Sequence, residues 1–597
     1  MVDLHASHLK KLILIYAFIS NVVILILISM NPMKSYELSL YSEVPLIIWL
    51  MLVANIFIGI ATVLSEYLRK DENRSYLWIA GMIVIILNIL VVQWLPFLRG
   101  SYALGGDHMT QIGYTKDIIL TGYFYQENYY PITHILISSL SMIASVPIHL
   151  IGNYFTAITS TFYVLSIYLI ARTIFYERKI CTIAAIVAAS VLYTGYELYL
   201  MPNGWSIHFI PLFIYLFIRS NKDHAVQFSL MAIILSITFV FFHPLSALYL
   251  IILVFSFGII ALIISNFSKK QRSTMNELPK RTINFILIIL IGFFIWIFAF
   301  KQFHHGLEAL WLAITAGEGP SFLGKVDAAL QKLGWSDWQF LIYIAKVIGH
   351  NLILLAISFI GLLGILKLKK EVLAHKIPLF SLYAFSMFAF AIYACATFDL
   401  VPGLILIGGD RSLAYTMIFT PVFMGLVYCL INRRKCRKKI IATVFSLVLL
   451  IASTLSILAL HPSPYSLKPN AEISNSDIIT YEWIISKKHT QIGISSILSS
   501  PLRYADMICG TIFRDVVVPG KLIIPDHFGY NKSKELGEVL EEDRYIVINK
   551  IDRITYSTIW KTANRFSKDD FTKMNFDTSS DRIYTNIEGN VWLTRAV

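Results

Sequence analysis

The sequence predicts an all-α polytopic membrane protein of about thirteen transmembrane helices followed by a small exterior α/β domain. Three observations predict it. Of the 597 residues 56% are hydrophobic and only 15% charged, more apolar side chain than one soluble core can bury. The apolar residues come in runs near the ~20 that a helix needs to cross a bilayer, not in the ~10-residue alternation of barrel strands. Lys and Arg are also unevenly spread: ahead of residue 461, 25 lie in segments assigned to the cytoplasm and about seven in the outer loops.

The net charge of +13 is therefore a topology signal, and it implies no nucleic-acid partner. From His461 onward 17 basic residues balance 17 acidic ones. The cysteines, at 181, 395, 429, 436 and 509, have no C-x-x-C spacing, so neither a disulfide within the tail nor a thiolate metal site is expected.

Lys10 and Lys11 precede a first span, Leu12 to Met30, and fix the N-terminus inside. This run is too long for the apolar part of a signal peptide and has no small-residue cleavage site, so it reads as retained. A second span, Pro45 to Ser65, returns to Arg69, Lys70 and Arg74, and a third, Tyr76 to Pro96, goes out again. The next basic cluster is Arg172, Arg178 and Lys179, so an even number of crossings separates it from Arg74. With Gly152 to Ala171 as one of them, the apolar segment Ile132 to Ile148 does not cross. Thr133, His134, Ser138, Ser139 and Ser141 give it a polar face suited to the outer leaflet. Leu98 to His149 is then one outer loop with two helices, the first near Asp107 to Thr121 and the second after Pro131.

Further spans are expected at about 181–199, 206–219, 226–243, 245–266, 283–302, 341–366, 377–395, 413–431 and 440–460. A second outer loop runs from His304 to Trp338 and holds Gly317-Glu318-Gly319-Pro320. An odd number of spans leaves the C-terminus outside. In the tail, Val516 to Val518, Leu522 to Ile524 and Tyr545 to Ile548 read as strands, Lys534 to Glu542 as helix-compatible, and Arg582 to Leu593 as a β-hairpin. The expected divisions are 1–75, two N-terminal helices; 76–460, the transmembrane core with exterior loop 98–149; and 461–597, the exterior domain.

Asp107 is the leading catalytic candidate. Gly105 and Gly106 allow close backbone approach, and a carboxylate there can take a proton or help hold a divalent metal; the bland alternative is a helix N-cap. His108 is a metal-ligand or proton-carrier candidate, or simply a histidine at a wet interface. Tyr129, Tyr130 and His134 lie where the second loop helix begins, as an aromatic belt or as a wall for a sugar ring. Arg411, in Gly408-Gly409-Asp410-Arg411, breaks the inside bias of basic residues; its guanidinium suits phosphate oxygens, against a plain Asp410–Arg411 surface pair. Glu197 is an acid at the outer end of a span. No P-loop, nucleotide-binding fingerprint, nucleophile elbow or His-Glu-x-x-His is present.

The long first outer loop with its acid and paired helices, the later exterior arginine and the exterior tail resemble the GT-C superfamily of membrane glycosyltransferases. Gly105-Gly106-Asp107-His108, then Tyr129-Tyr130-Pro131 and His134, is similar to prokaryotic, especially archaeal, members. The resemblance implies a sugar donor on a polyprenyl phosphate or diphosphate, inverting transfer to an exterior acceptor, Asp107 as base or metal ligand and Arg411 facing the donor phosphate. Read beside these as substrate contacts are His108, Tyr129, Tyr130, His134 and Glu197, and a divalent metal, with Asp107 and His108 as candidate ligands, is left an open question. The acidic loop follows the third span here rather than the first, so residues 1–75 would be an addition. The tail has no Trp-Trp-Asp-Tyr-Gly, which weighs against transfer to asparagine. A transporter or flippase of lipid-linked saccharides is the alternative; Lys346 and His350, one turn apart within a span, are the nearest thing to its expected intramembrane charges.

Overall fold

The computed structural model describes residues 2–67, 76–175, 177–192, 195–223, 225–267, 278–315, 336–366, 377–397, 409–432, 438–518 and 523–597. Helices occupy every stretch read as a span, but they are unequal. Among the described residues six are long and apolar enough to cross a membrane: His8–Ser29, Leu46–Glu66, Leu77–Leu98, Ile148–Phe175, Asp337–Leu363 and Lys438–Leu460. A bent pair, Arg411–Met417 and Thr420–Ile431, makes a seventh if taken as one span. The apolar helices Val226–Phe242, Pro244–Ile260, Thr282–Ile297 and Ser381–Cys395 are shorter. The stretch 181–199 is not one helix: Arg178–Ser190 stops, Gly195–Leu198 forms a separate turn, and Pro202 opens the next helix. The protein is thus a polytopic helical membrane protein, with the count of thirteen crossings left as an expectation.

The helices have two distinct ends. At one, Lys10 pairs with Glu66 at 2.9 Å, and Tyr67 donates to Thr182 Oγ1 at 2.6 Å while its carbonyl accepts from Lys179 Nζ at 3.3 Å. At the other, the loop after the first helix, the loop 98–149 and the tail meet. Met33 N donates to the Arg99 carbonyl at 2.7 Å, and the Arg99 guanidinium grips Glu37 twice, at 2.5 and 2.8 Å. Tyr36 is buried under the tail, its hydroxyl donating to the Asn470 carbonyl at 2.9 Å and its N–H to the Glu588 carboxylate. The two loop helices form as read, Asp107–Thr121 and Ile132–Ala144, and both stay at this end.

The tail carries a four-stranded sheet in the order β3-β4-β6-β5. Strand β3 (Gly493–Ser496) runs parallel to β4 (Arg544–Ile548), while β5 (Ser580–Thr585) and β6 (Asn590–Thr594) form the expected hairpin. Three readings are corrected. Of the strand read at Leu522 to Ile524, Leu522 lies outside the described residues and Ile523 and Ile524 belong to no strand. Val516–Val518 is no strand, because Arg514–Val517 makes a helical turn. Lys534–Glu542 is no helix: the Leu536 and Gly537 N–H groups bond Asp577 and Ser579 instead of preceding carbonyls. The second outer loop is partly helical, with Lys301–Thr315 forming a helix, while Gly317 to Pro320 lies outside the described residues.

The tail and the loop share one core. Ala103 and Leu104 (β1) pair with Ile473 and Glu472 (β2), and Met109, Ile112 and Ile137 pack with Ile473, Tyr481, Tyr504 and Val547. Helix Pro501–Cys509 lies against Asp107–Thr121 so closely that a Cβ on Gly113 would stand 2.6 Å from the Asp506 carbonyl oxygen. Gly113→Ala is therefore expected to force the two helices apart, lowering stability by ~1–3 kcal/mol. Faster proteolysis of the tail in the folded, detergent-solubilised protein would report the loss of docking.

Candidate active site

At the end of the helices where the loop 98–149 and the tail meet lies a cavity of about 850 Å³, lined by Asp107, Gln111, Tyr129, Tyr130, Glu197, His208, His243, His350, Arg411 and Lys468 among others. The sequence around Asp107 places it there. Gly105 N donates to the Ala471 carbonyl at 2.7 Å, anchoring the turn on the tail. Gly106 then adopts φ 80°, ψ −142°, a conformation closed to residues with a side chain, and releases the chain directly into the helix. Asp107 is thus the first helical residue rather than its cap, and no side chain caps this helix. Its carboxylate is 59% exposed and pairs with Arg503 of the tail, Nη1 to Oδ1 at 2.6 Å.

Turning by about 100° per residue along the helix separates the neighbours. Gln111, one turn on, lines the cavity with Asp107, while His108 points into the protein. His108 Nδ1 accepts from the Leu200 N–H at 2.8 Å and Nε2 meets Asn153 Oδ1 at 2.9 Å, so both ring nitrogens are used. Burial lowers its pKa to about 4, keeping the ring neutral. A fully buried ring with both nitrogens engaged can neither ligate a metal nor touch a substrate in the cavity. His134 is likewise fully buried, between Asn128 and Gln111 at 2.9 and 2.7 Å, and burial lowers its pKa to about 3. Its Nε2 holds the side chain of Gln111, which lines the cavity. Among the described residues no three of His, Cys, Asp and Glu gather as a metal site. The chemistry is derived from the chain's own residues.

Tyr129 and Tyr130 do line the cavity, edge to face at 4.4 Å, with Tyr130 also beside His134 and His243 at 6.0 and 6.2 Å. Trp296 Nε1 donates to the Tyr129 carbonyl at 2.9 Å and fixes that wall. Glu197 reaches His208 Nε2 at 3.6 Å, with both side chains buried. Thr159 donates to the Thr156 carbonyl at 2.7 Å, so its oxygen accepts from His208 Nδ1 at 3.0 Å, and His208 Nε2 is the nitrogen that meets the acid.

Arg411 is placed by the break in its span. Pro421 lacks an N–H and clashes with the carbonyl four residues back, so the helix bends by 40° after Met417. The Met417 carbonyl accepts from the Tyr163 hydroxyl at 3.3 Å instead. The short helix Gly409–Met417 thereby carries Arg411 to the cavity wall, where among the described residues it has no hydrogen-bond or ion-pair partner. The Asp410 side chain lies outside the described residues.

The structure brings Asp107, Tyr129, Tyr130, Glu197 and Arg411 to one cavity, and it sets His108 and His134, read from the sequence as substrate contacts, behind the wall. The sequence reading missed Gln111, His208, Lys468 and Arg503. Gln111 stands at i+4 from Asp107, a spacing that carried the signal; Arg503 is nearly four hundred residues away and carried none.

No protein-family model matches the chain, and no curated protein matches its sequence. Solved structures do resemble it. The archaeal oligosaccharyltransferase AglB from Archaeoglobus fulgidus, in complex with an inhibitory peptide and a dolichol-phosphate, is 12% identical with a TM-score of 0.50, over 84% of this chain and 73% of that one. ArnT from Cupriavidus metallidurans bound to undecaprenyl phosphate is 10% identical with a TM-score of 0.45, over 87% and 98%. The overlap with AglB shows a shared fold, that of a multi-pass membrane protein.

Proposed function

We propose that the chain is a membrane glycosyltransferase that moves a sugar from a polyprenyl phosphate or diphosphate to an exterior acceptor with inversion. The observation that carries this reading is a carboxylate, Asp107, and a guanidinium without a partner among the described residues, Arg411, lining one cavity at the outer end of the helices. The fold likeness to a structure that holds a dolichol-phosphate supports it, but fold alone does not assign chemistry. The charge distribution supports a topology with the Lys10 end in the cytoplasm and the cavity and tail outside.

In this reading Asp107 accepts the proton of the acceptor hydroxyl as that oxygen bonds to the anomeric carbon. The bond from that carbon to the lipid phosphate breaks, and Arg411 takes the phosphate charge. Tyr129 and Tyr130 form a face for the sugar ring, and Glu197, paired with His208, accepts hydrogen bonds from its hydroxyls. The test is transfer by the full chain in nanodiscs, from labelled polyprenyl-phosphate and polyprenyl-diphosphate sugars to exterior glycans. Movement of the donor across the bilayer without transfer would favour a flippase instead. Arg411→Ala is expected to lower kcat/KM for the donor by ~10²–10³-fold, as loss of one preorganised charge donor does. Arg411→Lys should recover only part, since an ammonium lacks the planar fork.

A further inference from the structure

We infer that the C-terminal domain is seated in the outer lipid leaflet through an apolar lip built from two distant pieces of chain. One piece is the end of helix Asp107–Thr121 and the short segment just beyond it, where Ile119, Leu120, Tyr123 and Phe124 are exposed, Tyr123 by 67%. The other is Phe513 and Val516 of the tail, exposed by 46% and 75%. The pieces adjoin: Asp117 accepts from the Thr511 hydroxyl and from Ile512 N at 3.4 Å, and a Cβ on Gly510 would stand 3.8 Å from Leu120 Cδ1. Six large apolar side chains on one contiguous surface mark a contact site rather than a face meant for water.

Continuity with the membrane belt says what covers it. The Phe124 ring lies 6.0 Å from Trp296, which packs 4.8 Å from Phe241. Trp296 and Phe241 sit at the ends, nearest this lip, of the apolar helices Leu278–Ile297 and Val226–Phe242, whose Ile237, Ile291 and Ile295 are exposed on the surface that the sequence reading turns to lipid. The lip therefore begins where the lipid-facing surface stops, at the level an aromatic belt occupies. Neighbouring cations are turned away from it. Lys116 donates to the Ile508 carbonyl, and Arg514 is held by both oxygens of Asp506 at 2.7 Å. Asp515 remains exposed beside Val516, within reach of the hydrated headgroup layer in which interfacial segments keep their charges. The seating also steadies helix Pro501–Cys509, which brings Arg503 to Asp107. The inference does not depend on the transfer reaction.

The test is nitroxide labelling at Tyr123→Cys and Val516→Cys in a full chain freed of its native cysteines, in nanodiscs of phosphatidylethanolamine and phosphatidylglycerol. A label at Ile295→Cys is the lipid reference and one at Phe576→Cys, a site 80% exposed in the tail, the aqueous reference. The expected result is a ratio of oxygen to nickel-chelate accessibility at 123 and 516 that matches Ile295 and is several-fold above Phe576. A ratio matching Phe576 overturns the inference, and so does shielding from both reagents, which would assign a protein partner. Should the cysteine-free chain not fold, a benzophenone amino acid at position 516 of the native chain gives the same decision. Lipid adducts uphold the seating; cross-links to protein alone, or no adducts, refute it.

Discussion

Asp107→Asn is expected to lower sugar transfer by ~10²–10⁴-fold, the range a positioned general base contributes. The change is nearly isosteric at a side chain that is 59% exposed, so packing is untouched. It also leaves an amide oxygen to accept from Arg503, and an exposed ion pair of this kind contributes only ~0–1 kcal/mol. Melting temperature and tail proteolysis should therefore stay at wild-type values while turnover collapses. The measurement is the initial transfer rate at saturating donor, beside a melting curve for each protein. Equal transfer by the two proteins would remove Asp107 as the base. The alternative that Asp107 serves as a helix cap predicts the opposite split, lost stability with retained rate; Gly106 occupies the cap position, so that outcome is not expected.

The second large effect is structural. Arg99→Ala is expected to destabilise the protein by ~3–5 kcal/mol, the usual result of removing one partner from a buried ion pair. The Arg99 side chain is 2% exposed and holds both oxygens of Glu37, and its Nε donates to the Asn31 carbonyl at 2.9 Å. Its removal leaves the Glu37 carboxylate, 13% exposed, without a counter-charge in a low-dielectric setting. Arg99→Lys should restore little, because an ammonium cannot make the two parallel bonds. Replacing Arg99 and Glu37 together by Met and Leu should recover most of the stability, since two apolar groups leave no orphaned charge. Thermal unfolding in detergent, compared across the four proteins, checks all three statements; equal midpoints for Arg99→Ala and wild type would show that the pair is dispensable.

What could be read from residues alone was what local chemistry decides. The loop helices were legible because Gly106 and Pro131 start them and Gly122 ends the first in the left-handed region at φ 81°. Strand β4 and the β5–β6 hairpin were legible as β-branched and aromatic runs around Glu588-Gly589. The misreadings occurred where distant groups decide. Lys534–Glu542 has helix-forming residues, yet Asp577 and Ser579 take its N–H groups. His108 and His134 were singled out for their chemistry, but only the helix register against Asn153 and Asn128 settles that they face inward. Arg503 and Lys468 reach the site from a tail that looked separate in sequence and shares a core with the loop.

The burial of Tyr36 beneath Glu588 has a consequence for biosynthesis. These partners are 552 residues apart, so at ~5–20 residues per second the loop after the first helix waits roughly half a minute to two minutes for its cover. Over that interval the loop can be translocated but cannot reach its final structure, and high-order contacts of this kind form last. A nascent chain halted between Leu460 and Glu588 therefore has all its membrane helices made but Tyr36 uncovered. Premature termination and late assembly would then look alike to proteases on the outer side: both expose the same early loop, and completion of the last hairpin is the event that hides it.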